Sequence, residues 1–262
     1  MEMFIVKIGG SVIAQKEKKF EFNHEIMDNL SQELKKANQE VILVHGAGSF
    51  GHLLAQQYKL NHGFSSKKQL QGFSQTHEKV QELNSFVLSS LLKHNIHAVS
   101  IPPHAILELN DHKPIEFSPR IFHSYLKQGF TPLTFGDVVL DTKVGFSICS
   151  GDLLVRLLAE HFLPTKIIFI LDEDGIFTTN PKLDRNAQLI QKTTLDELRN
   201  LKIIADKHAD VTKGMEGKIE TMAHIARRGI DIILVNGYKK NRLYNTLIGK
   251  ETVGTFILGE NK

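Results

Sequence analysis

Residues 41–52 read VILVHGAGSFGH, in which a short apolar run passes directly into a glycine-rich loop. The run Val41–Val44 has the branched, apolar composition of a buried strand. Residues 46–51 of the loop satisfy the pattern G-x-G-x-x-G, which often marks a dinucleotide site between a strand and a helix. The stretch therefore predicts a strand followed by a loop that is suited to bind an anion.

The surroundings of this loop argue against a dinucleotide. Such a site needs an acidic residue about 20 residues downstream to hold the ribose, and residues 51–77 contain no Asp or Glu. The loop also follows the second predicted strand rather than the first, and NAD would leave His52 without a task. We favour a loop whose backbone amides converge on phosphate oxygens, with a purely structural turn as the alternative.

Strand and helix patterns alternate along the whole chain. Strand patterns cover Met3–Ile8, Val41–Val44, His97–Ile101, Thr131–Phe135, Val138–Leu140, Lys166–Leu171 and Asp231–Val235. Helical patterns cover Glu25–Ala37, His77–Leu92, Asp152–His161 and Met215–Arg228. This alternation predicts an α/β fold with an open, mostly parallel sheet between layers of helices. Gly136-Asp137 resembles a tight turn between two strands, and no linker divides residues 1–262, so we expect one domain.

Composition narrows the class of protein. With 262 residues, 41% hydrophobic and 23% charged, the chain is typical of a globular protein. A net charge of +3 suits a small anionic substrate and does not by itself indicate nucleic acid. The lone Cys149 excludes an internal disulfide. No signal peptide and no apolar run of membrane-spanning length is present, so we expect a cytoplasmic protein without membrane contact.

Two further segments combine lysine with glycine. In residues 7–11, KIGGS, the first strand runs into two glycines whose amides an anion can approach closely. Lys7 lies within the buried strand pattern, where a lysine without a partner would be unfavourable. Gly214 and Gly217 accompany the start of the last predicted helix, which carries Lys218 in its first turn. Because the helix dipole opposes a cation there, a bound anion is indicated nearby.

Together these segments resemble the amino acid kinase family and, within it, the isopentenyl phosphate kinases. The matching stretches are KIGGSVIAQK (7–16), VHGAGSFGH (44–52), FGDV (135–138), SGD (150–152), DEDGIF (172–177), VTKGMEGK (211–218), VNGY (235–238) and IGKETVGTFI (248–257). KIGGS is typical of the whole family. HGAGSFGH is sharper, because His52 directly after the loop marks the branch that phosphorylates phosphate and phosphonate acceptors.

The resemblance implies a kinase that transfers the γ-phosphoryl group of ATP to isopentenyl phosphate, giving isopentenyl diphosphate. The attacking phosphate oxygen is already deprotonated, so catalysis needs positioning and charge stabilisation rather than a strong base. Fosfomycin kinases share the histidine and are the alternative. A non-catalytic nucleotide-binding regulator of the same fold is a second alternative, against which the presence of Lys7, Asp152 and Lys218 together argues.

The resemblance also implies catalytic and nucleotide-binding residues. Lys7 and Lys218 would flank the transferred phosphoryl group. Asp152 would hold these lysines in position, with a helix N-cap as its alternative role, and Lys16 would assist the transferred phosphate. The implied ATP-binding residues are Lys7, Gly9, Gly10, Ser11, Gly48, Asp172, Asp174, Gly175, Gly214 and Lys218. ATP would lie on a C-terminal lobe of about residues 151–262.

The N-terminal lobe, about residues 1–150, would bind the acceptor. His52 would bind the acceptor phosphate through a charge-assisted hydrogen bond, with help from Ala47, Gly48 and Gly151. The isoprenoid tail would lie against the helical stretch after the loop. Candidate tail contacts are Phe73, Val80 and Leu83, for which ordinary core packing is the alternative.

Further expectations concern the metal ion and the nucleotide. ATP implies Mg²⁺, and because no His, Asp or Glu cluster is visible in the sequence, we expect phosphates and water to hold it. Leu171, Glu173 and Lys213 depart from the family pattern and leave the nucleotide preference open. The resemblance also suggests a homodimer.

Overall fold

The computed structural model describes residues 2–14, 19–194, 196–197 and 213–260, with side chains undescribed for 213–216. The strands are β1 (Met3–Ile8), β2 (Glu40–His45), β3 (Ala98–Ser100), β4 (Leu107–Asn110), β5 (Lys113–Phe117), β6 (Thr131–Phe135), β7 (Asp137–Asp141), β8 (Gly145–Cys149), β9 (Lys166–Leu171), β10 (Lys192–Thr193), β11 (Asp231–Asn236) and β12 (Thr255–Ile257). The helices are α1 (Gly10–Ile13), α2 (His24–Ala37), α3 (Gly48–Gln57), α4 (Lys68–Lys93), α5 (Arg120–Lys127), α6 (Gly151–Phe162), α7 (Lys213–Ala226) and α8 (Arg242–Leu247). Short 3₁₀ helices cover Leu60–His62 and Pro103–Ala105.

An eight-stranded sheet forms the centre, in the order β10-β12-β11-β9-β1-β2-β6-β3. All its paired strands are parallel except β11 and β12. β1 lies between β2 and β9, so that Phe4 is opposite Val41 on one side and Lys166 on the other. The predicted open, mostly parallel sheet is confirmed, and the predicted bounds of β1, β6 and β9 agree with the structure.

Alternating side chains of β1 divide the hydrophobic core into two layers. Ile5 belongs to a buried cluster with Leu154 of α6 and Met222 of α7. Phe4 belongs to the opposite cluster with Met27 of α2, as do residues of α4 and α8. Because helices cover both faces of the sheet, β1 is apolar almost throughout, which is why its sequence reads as a continuous hydrophobic run.

Helix α4 begins at Lys68, well before the predicted start at His77. The Gln69 side chain fixes the early start, because its Oε1 accepts hydrogen bonds from the amides of Ser65 (2.6 Å) and Ser66 (3.1 Å). This contact is polar and adds nothing to the apolar periodicity from which the helix start was predicted. Although α4 has 26 residues, neither it nor another described helix is apolar enough along its length to span a membrane.

The expected tight turn at Gly136-Asp137 is wrong. β6 belongs to the main sheet, whereas β7 belongs to a second sheet with the order β5-β4-β7-β8. Gly136 donates its N–H to the carbonyl of His45 (3.0 Å), so the chain stays beside β2 before it turns into the second sheet. In that sheet β7 lies between β4 and β8, and its pairing with β8 is antiparallel with Asp137 opposite Cys149.

One buried carboxylate joins the two turns of the second sheet. Asp141, which is 2% exposed, accepts hydrogen bonds from the amides of Asp111 (3.0 Å), His112 (2.8 Å), Lys143 (3.0 Å) and Val144 (3.1 Å). Burial alone would raise the pKa of Asp141, but these amides together hold the pKa below its ordinary value of 3.8. The charged form therefore stabilises the folded state.

We predict that Asp141→Ala lowers the free energy of unfolding by about 2–4 kcal/mol, because four amides lose a charged acceptor. Since the folded-state pKa is depressed, this contribution is present above pH 3.8 and is lost as the pH falls through the folded-state pKa. Urea unfolding at pH 7 measures the change. Asp111→Asn is the matched control, as it removes only the exposed ion pair with Lys143 and should leave the midpoint nearly unchanged. Equal midpoints for wild type and Asp141→Ala would contradict the assignment.

Candidate active site

A cleft of about 950 Å³ opens at the carboxyl ends of β1, β2, β6 and β9. Each strand contributes the residues that directly follow it, including Gly9, Gly46, Gly136 and Asp172. Ligands of open α/β sheets bind at this edge, because loops from neighbouring parallel strands meet there. The volume is within the range of pockets that enclose small molecules.

Glycines allow two loops of the cleft to touch backbone to backbone. A Cβ atom on Gly10 would lie 2.7 Å from the Cα of Gly48, and a Cβ on Gly46 would lie 2.7 Å from the amide nitrogen of Gly10. Gly48 also has φ +53°, which disfavours a side chain. The loop after β1 and the loop after β2 therefore form one continuous backbone surface at the floor of the cleft.

Lys7 and Asp152 form a largely buried ion pair at this floor. Lys7 is the penultimate residue of β1 with a side chain that is 6% exposed, and its Nζ lies 2.6 Å from Oδ1 of Asp152. Asp152 lies in the first turn of α6, but the N-cap of that helix is Ser150, whose Oγ accepts from the amide of Leu153 (3.1 Å). The capping role considered for Asp152 is therefore filled by Ser150, which leaves the carboxylate to hold Lys7.

His52 lies in α3 and faces the cleft near two cations. Solvent reaches its ring, while the surrounding walls and the positive charges of Lys7 and Lys218 lower its pKa below the ordinary value of 6.5. Desolvation by the surrounding protein is the largest cause of the lowered pKa, and the charge of Lys7 is the next. At pH 7 this imidazole is therefore mostly neutral when no anion is bound, and an anion placed between His52 and the lysines would favour its protonation.

His45, at the other end of the glycine loop, is a structural residue. Its ring is fully buried and stacks on Phe135, with 5.2 Å between centroids. Nδ1 lies 3.0 Å from the carbonyl oxygen of Gly46, and Nε2 lies 3.3 Å from Oδ1 of Asn84. Burial is the main cause that lowers the pKa of His45 to about 4. The neutral ring has a single N–H and can donate to only one of these two oxygens at a time, and its stacking on Phe135 ties the loop to β6.

The C-terminal side of the cleft contains the acidic residues Asp172 and Glu173. It also contains Lys182, which the sequence analysis did not predict. Ser11 donates a hydrogen bond to Oδ1 of Asp172 (3.1 Å), which connects this side to the loop after β1. Lys182 lies 2.9 Å from Glu173 and 3.9 Å from Asp172. The segment 178–184 lines this edge of the cleft.

The cleft brings together most residues that the sequence predicts for the site. The predicted residues that line it are Lys7, Gly9, Gly10, Ser11, Ala47, Gly48, His52, Val80, Gly151, Asp152, Asp172, Gly175 and Lys218. Lys16 lies outside the described residues, and Gly214 lies in the first turn of α7. Asp174 is not part of the lining, although its Oδ1 is buried with no hydrogen-bond partner among the described residues.

Two predicted tail contacts lie behind the cleft wall. Leu83 is fully buried in the core cluster that α2 and α4 share. Phe73 packs against Phe146, with 5.4 Å between ring centroids. The apolar lining beside Val80 instead includes Leu53, Ala55, Val138 and Ile148. Sequence reasoning missed Val138 and Ile148 because they come from β7 and β8, whose sheet was not predicted.

Comparison with known proteins identifies the family of the chain. The model of the amino acid kinase family matches residues 2–236. The isopentenyl phosphate kinase of Methanothermobacter thermautotrophicus is 33% identical over 268 aligned residues, covering 99% of this chain and 100% of that protein. The isopentenyl phosphate kinase of Methanocaldococcus jannaschii is 31% identical, covering 97% of each chain.

Solved structures show the same architecture. One isopentenyl phosphate kinase structure has a TM-score of 0.85 at 31% identity, covering 97% of this chain and 99% of the other. An isopentenyl phosphate kinase in a substrate complex has a TM-score of 0.83 at 27% identity, covering 98% and 100%. The family match, the full-length relatives and the shared architecture agree, and the chain belongs to the amino acid kinase family.

Proposed function

We propose that this protein transfers the γ-phosphoryl group of ATP to isopentenyl phosphate and forms isopentenyl diphosphate. The main observation is the juxtaposition, in one cleft, of a buried Lys7–Asp152 pair, Lys218 and a cation-flanked His52. Full-length relatives above 30% identity carry the same activity in their names. The chemistry requires two anions to meet, and the cleft offers cations and backbone amides rather than a strong general base.

Lys7 is suited to the transfer step because its position is fixed before any substrate binds. Asp152 holds the ammonium group at 2.6 Å, and the buried strand around it restricts movement. A cation held in place, in a site largely screened from water, stabilises charge on a transferring phosphoryl group more strongly than a solvated one. Lys218 would act from the helix α7 side of the same cleft.

His52 is suited to select a phosphate acceptor. In the absence of an anion its pKa is lowered, so the ring can gain a proton when a phosphate binds beside it. The resulting imidazolium would donate a charge-assisted hydrogen bond to the acceptor phosphate. Gly136 and Gly151, whose backbones pack together at this end of the cleft, would complete the phosphate site.

The apolar wall beside His52 favours an isoprenoid acceptor over fosfomycin. Val80 of α4, Val138 of β7 and Ile148 of β8 line the cleft near the residues that follow the glycine loop. A small polar phosphonate would leave this apolar surface in contact with water, whereas a five-carbon tail would cover it. We therefore place the tail between α4 and the second sheet.

Magnesium fits the cleft as a companion of ATP. Mg²⁺ prefers oxygen ligands and keeps several waters, and Asp172 presents its carboxylate to the cleft beside the phosphate-binding loops. The described residues of the nucleotide side form no group of three metal ligands, so ATP phosphates and water would supply most of the coordination. When bound, the ion would neutralise charge on the β- and γ-phosphates.

An assay of ATP consumption tests the proposal directly. Isopentenyl phosphate, dimethylallyl phosphate, fosfomycin, acetylglutamate and UMP are compared as acceptors under identical conditions. Isopentenyl phosphate should give the highest kcat/KM, and mass spectrometry should detect isopentenyl diphosphate. A preference for fosfomycin, or no turnover with any acceptor, would overturn the proposal. Light scattering of the same preparation tests the homodimer that the resemblance suggests.

We predict that Lys7→Ala lowers kcat by about 100-fold or more, the scale expected for a preorganised charge donor. Steady-state kinetics with saturating ATP and acceptor measure the effect. Lys93→Ala is the control, because Lys93 is an exposed lysine paired with Asp28 away from the cleft, and it should retain full rate. The double variant Lys7→Ala/Asp152→Ala removes both buried charges, so it separates lost catalysis from lost stability. A Lys7→Ala enzyme near full rate would remove Lys7 from the mechanism.

We predict that His52→Ala weakens acceptor binding by roughly 1.5–3 kcal/mol, because a charge-assisted hydrogen bond is lost. ATP binding should change little. Calorimetric titration of each ligand measures both affinities, and the exposed His62 supplies the control variant His62→Ala. An equal loss of affinity for ATP and acceptor would contradict the assigned role.

We also predict that acceptor binding at pH 7 is coupled to proton uptake by His52. The pKa lies below 6.5 in the free protein and rises beside a bound phosphate, so a proton is taken up between these two values. Calorimetry in two buffers of different ionisation enthalpy gives the number of protons. Wild type should take up more protons than His52→Gln, a comparison that cancels titration of the acceptor itself. The same proton number for both proteins would show that His52 does not titrate on binding.

A further inference from the structure

Three potential metal ligands that are far apart in the sequence meet beside the cleft. They are His77 of α4, His104 of the 3₁₀ helix Pro103–Ala105 and Asp137 of β7. One donor atom from each residue lies within 4.8 Å of the other two. Among the described residues this is the one group of three His, Cys, Asp or Glu side chains with such spacing.

Asp137 is the buried anchor of the group. Its side chain is fully buried, and Oδ1 accepts a hydrogen bond from the amide of Val138 (2.8 Å). Oδ2 is directed toward both imidazoles, at 2.7 Å from Nδ1 of His77 and 3.8 Å from Nδ1 of His104. The two rings meet edge to face with centroids 4.5 Å apart. Two imidazole nitrogens and one carboxylate oxygen therefore lie close together, with His77 and Asp137 at hydrogen-bonding distance.

We propose that His77, His104 and Asp137 bind a first-row transition-metal dication such as Zn²⁺. Imidazole nitrogen and carboxylate oxygen are preferred ligands of these ions, whereas Mg²⁺ prefers oxygen alone. Ligand atoms around a tetrahedral zinc ion lie about 3.3 Å apart, given bond lengths near 2.0 Å. The present separations from Oδ2, 2.7 and 3.8 Å, lie on either side of that value.

Comparison with other histidine–carboxylate pairs supports a metal ion over a simple hydrogen bond. Asp28 contacts His94 and also forms an ion pair with Lys93. Glu160 contacts His224 and also forms an ion pair with Arg228. At Asp137 a second histidine takes the place of that permanent cation. Its ion-pair partners among the described residues are histidines only. Asp137 therefore has two histidine neighbours, which can be neutral, where the other two carboxylates have a lysine or an arginine with a permanent charge.

The position of the group allows an ion to enter and gives it a structural role. The side chains of His77 and His104 are 31% and 39% exposed, so the open side of the site can admit the ion and a water ligand. His77 adjoins Thr76, and Asp137 and Thr76 both line the cleft. A bound ion would connect α4, the 3₁₀ helix and β7, and would thus stiffen the wall against which we place the acceptor tail.

Metal binding to the nucleotide-free protein tests this proposal without reference to turnover. The protein is stripped with a chelator, desalted and titrated with Zn²⁺ by calorimetry, and Co²⁺ is added separately to record its visible spectrum. We expect one Zn²⁺ per chain, a rise in the unfolding temperature, and intense Co²⁺ absorption typical of four- or five-coordinate geometry. Absence of saturable Zn²⁺ binding to wild type would overturn the proposal.

Variants assign the ligands. We expect His104→Ala and His77→Ala each to weaken Zn²⁺ binding by roughly 10–100-fold or more, the scale reported even for outer-shell partners. The control His94→Ala alters a histidine with a similar carboxylate contact and should bind Zn²⁺ as wild type does. Unchanged Zn²⁺ affinity in His104→Ala would refute the site. Circular dichroism verifies that each variant is folded, and the wild-type Co²⁺ spectrum stands independently of the variants.

Discussion

Close approach of two backbones underlies the rest of the site. β1 and β2 are adjacent and parallel, so the loops that follow them emerge side by side. They can touch only because Gly10, Gly46 and Gly48 have no side chains to separate them. This contact sets where β1 ends, one residue after Lys7, and where α3 begins. The distance between the backbones of Lys7 and His52 is thus governed by backbone packing rather than by either side chain.

Much of the main sheet follows from local sequence, because strands buried on both faces read as continuous apolar runs and their helices show regular periodicity. β1, β6 and β9 are examples. The second sheet was not predicted, since β4 and β5 are short and partly exposed, and β5 shows no regular alternation of buried and exposed residues. The prediction of a tight turn at Gly136 was wrong for a related reason, because nothing in the local sequence indicates that β6 and β7 belong to different sheets.

The site shows the same division between local and long-range information. Lys7, Asp152 and the glycine loops lie in recognisable motifs, so the sequence predicts them as individual site residues. Ile148 and Lys182 lie in none of the matching stretches, and Val138, although part of FGDV (135–138), was not assigned to the site; all three reach the cleft through tertiary packing. The same holds for His77, His104 and Asp137, whose spacing of some 30 residues resembles no metal-binding pattern. Such groups are visible only once the strand order is known.

The central position of β1 has a consequence for how the chain acquires its structure. β1 is synthesised well before its partner β9, which begins at Lys166. During translation at about 5–20 residues per second, β1 would wait for roughly ten seconds or more with one edge unpaired. Contacts between such distant segments also make folding slow. A strand this apolar, exposed for that long, is a hazard for association between nascent chains, so the N-terminal segment is where a chaperone would be most useful.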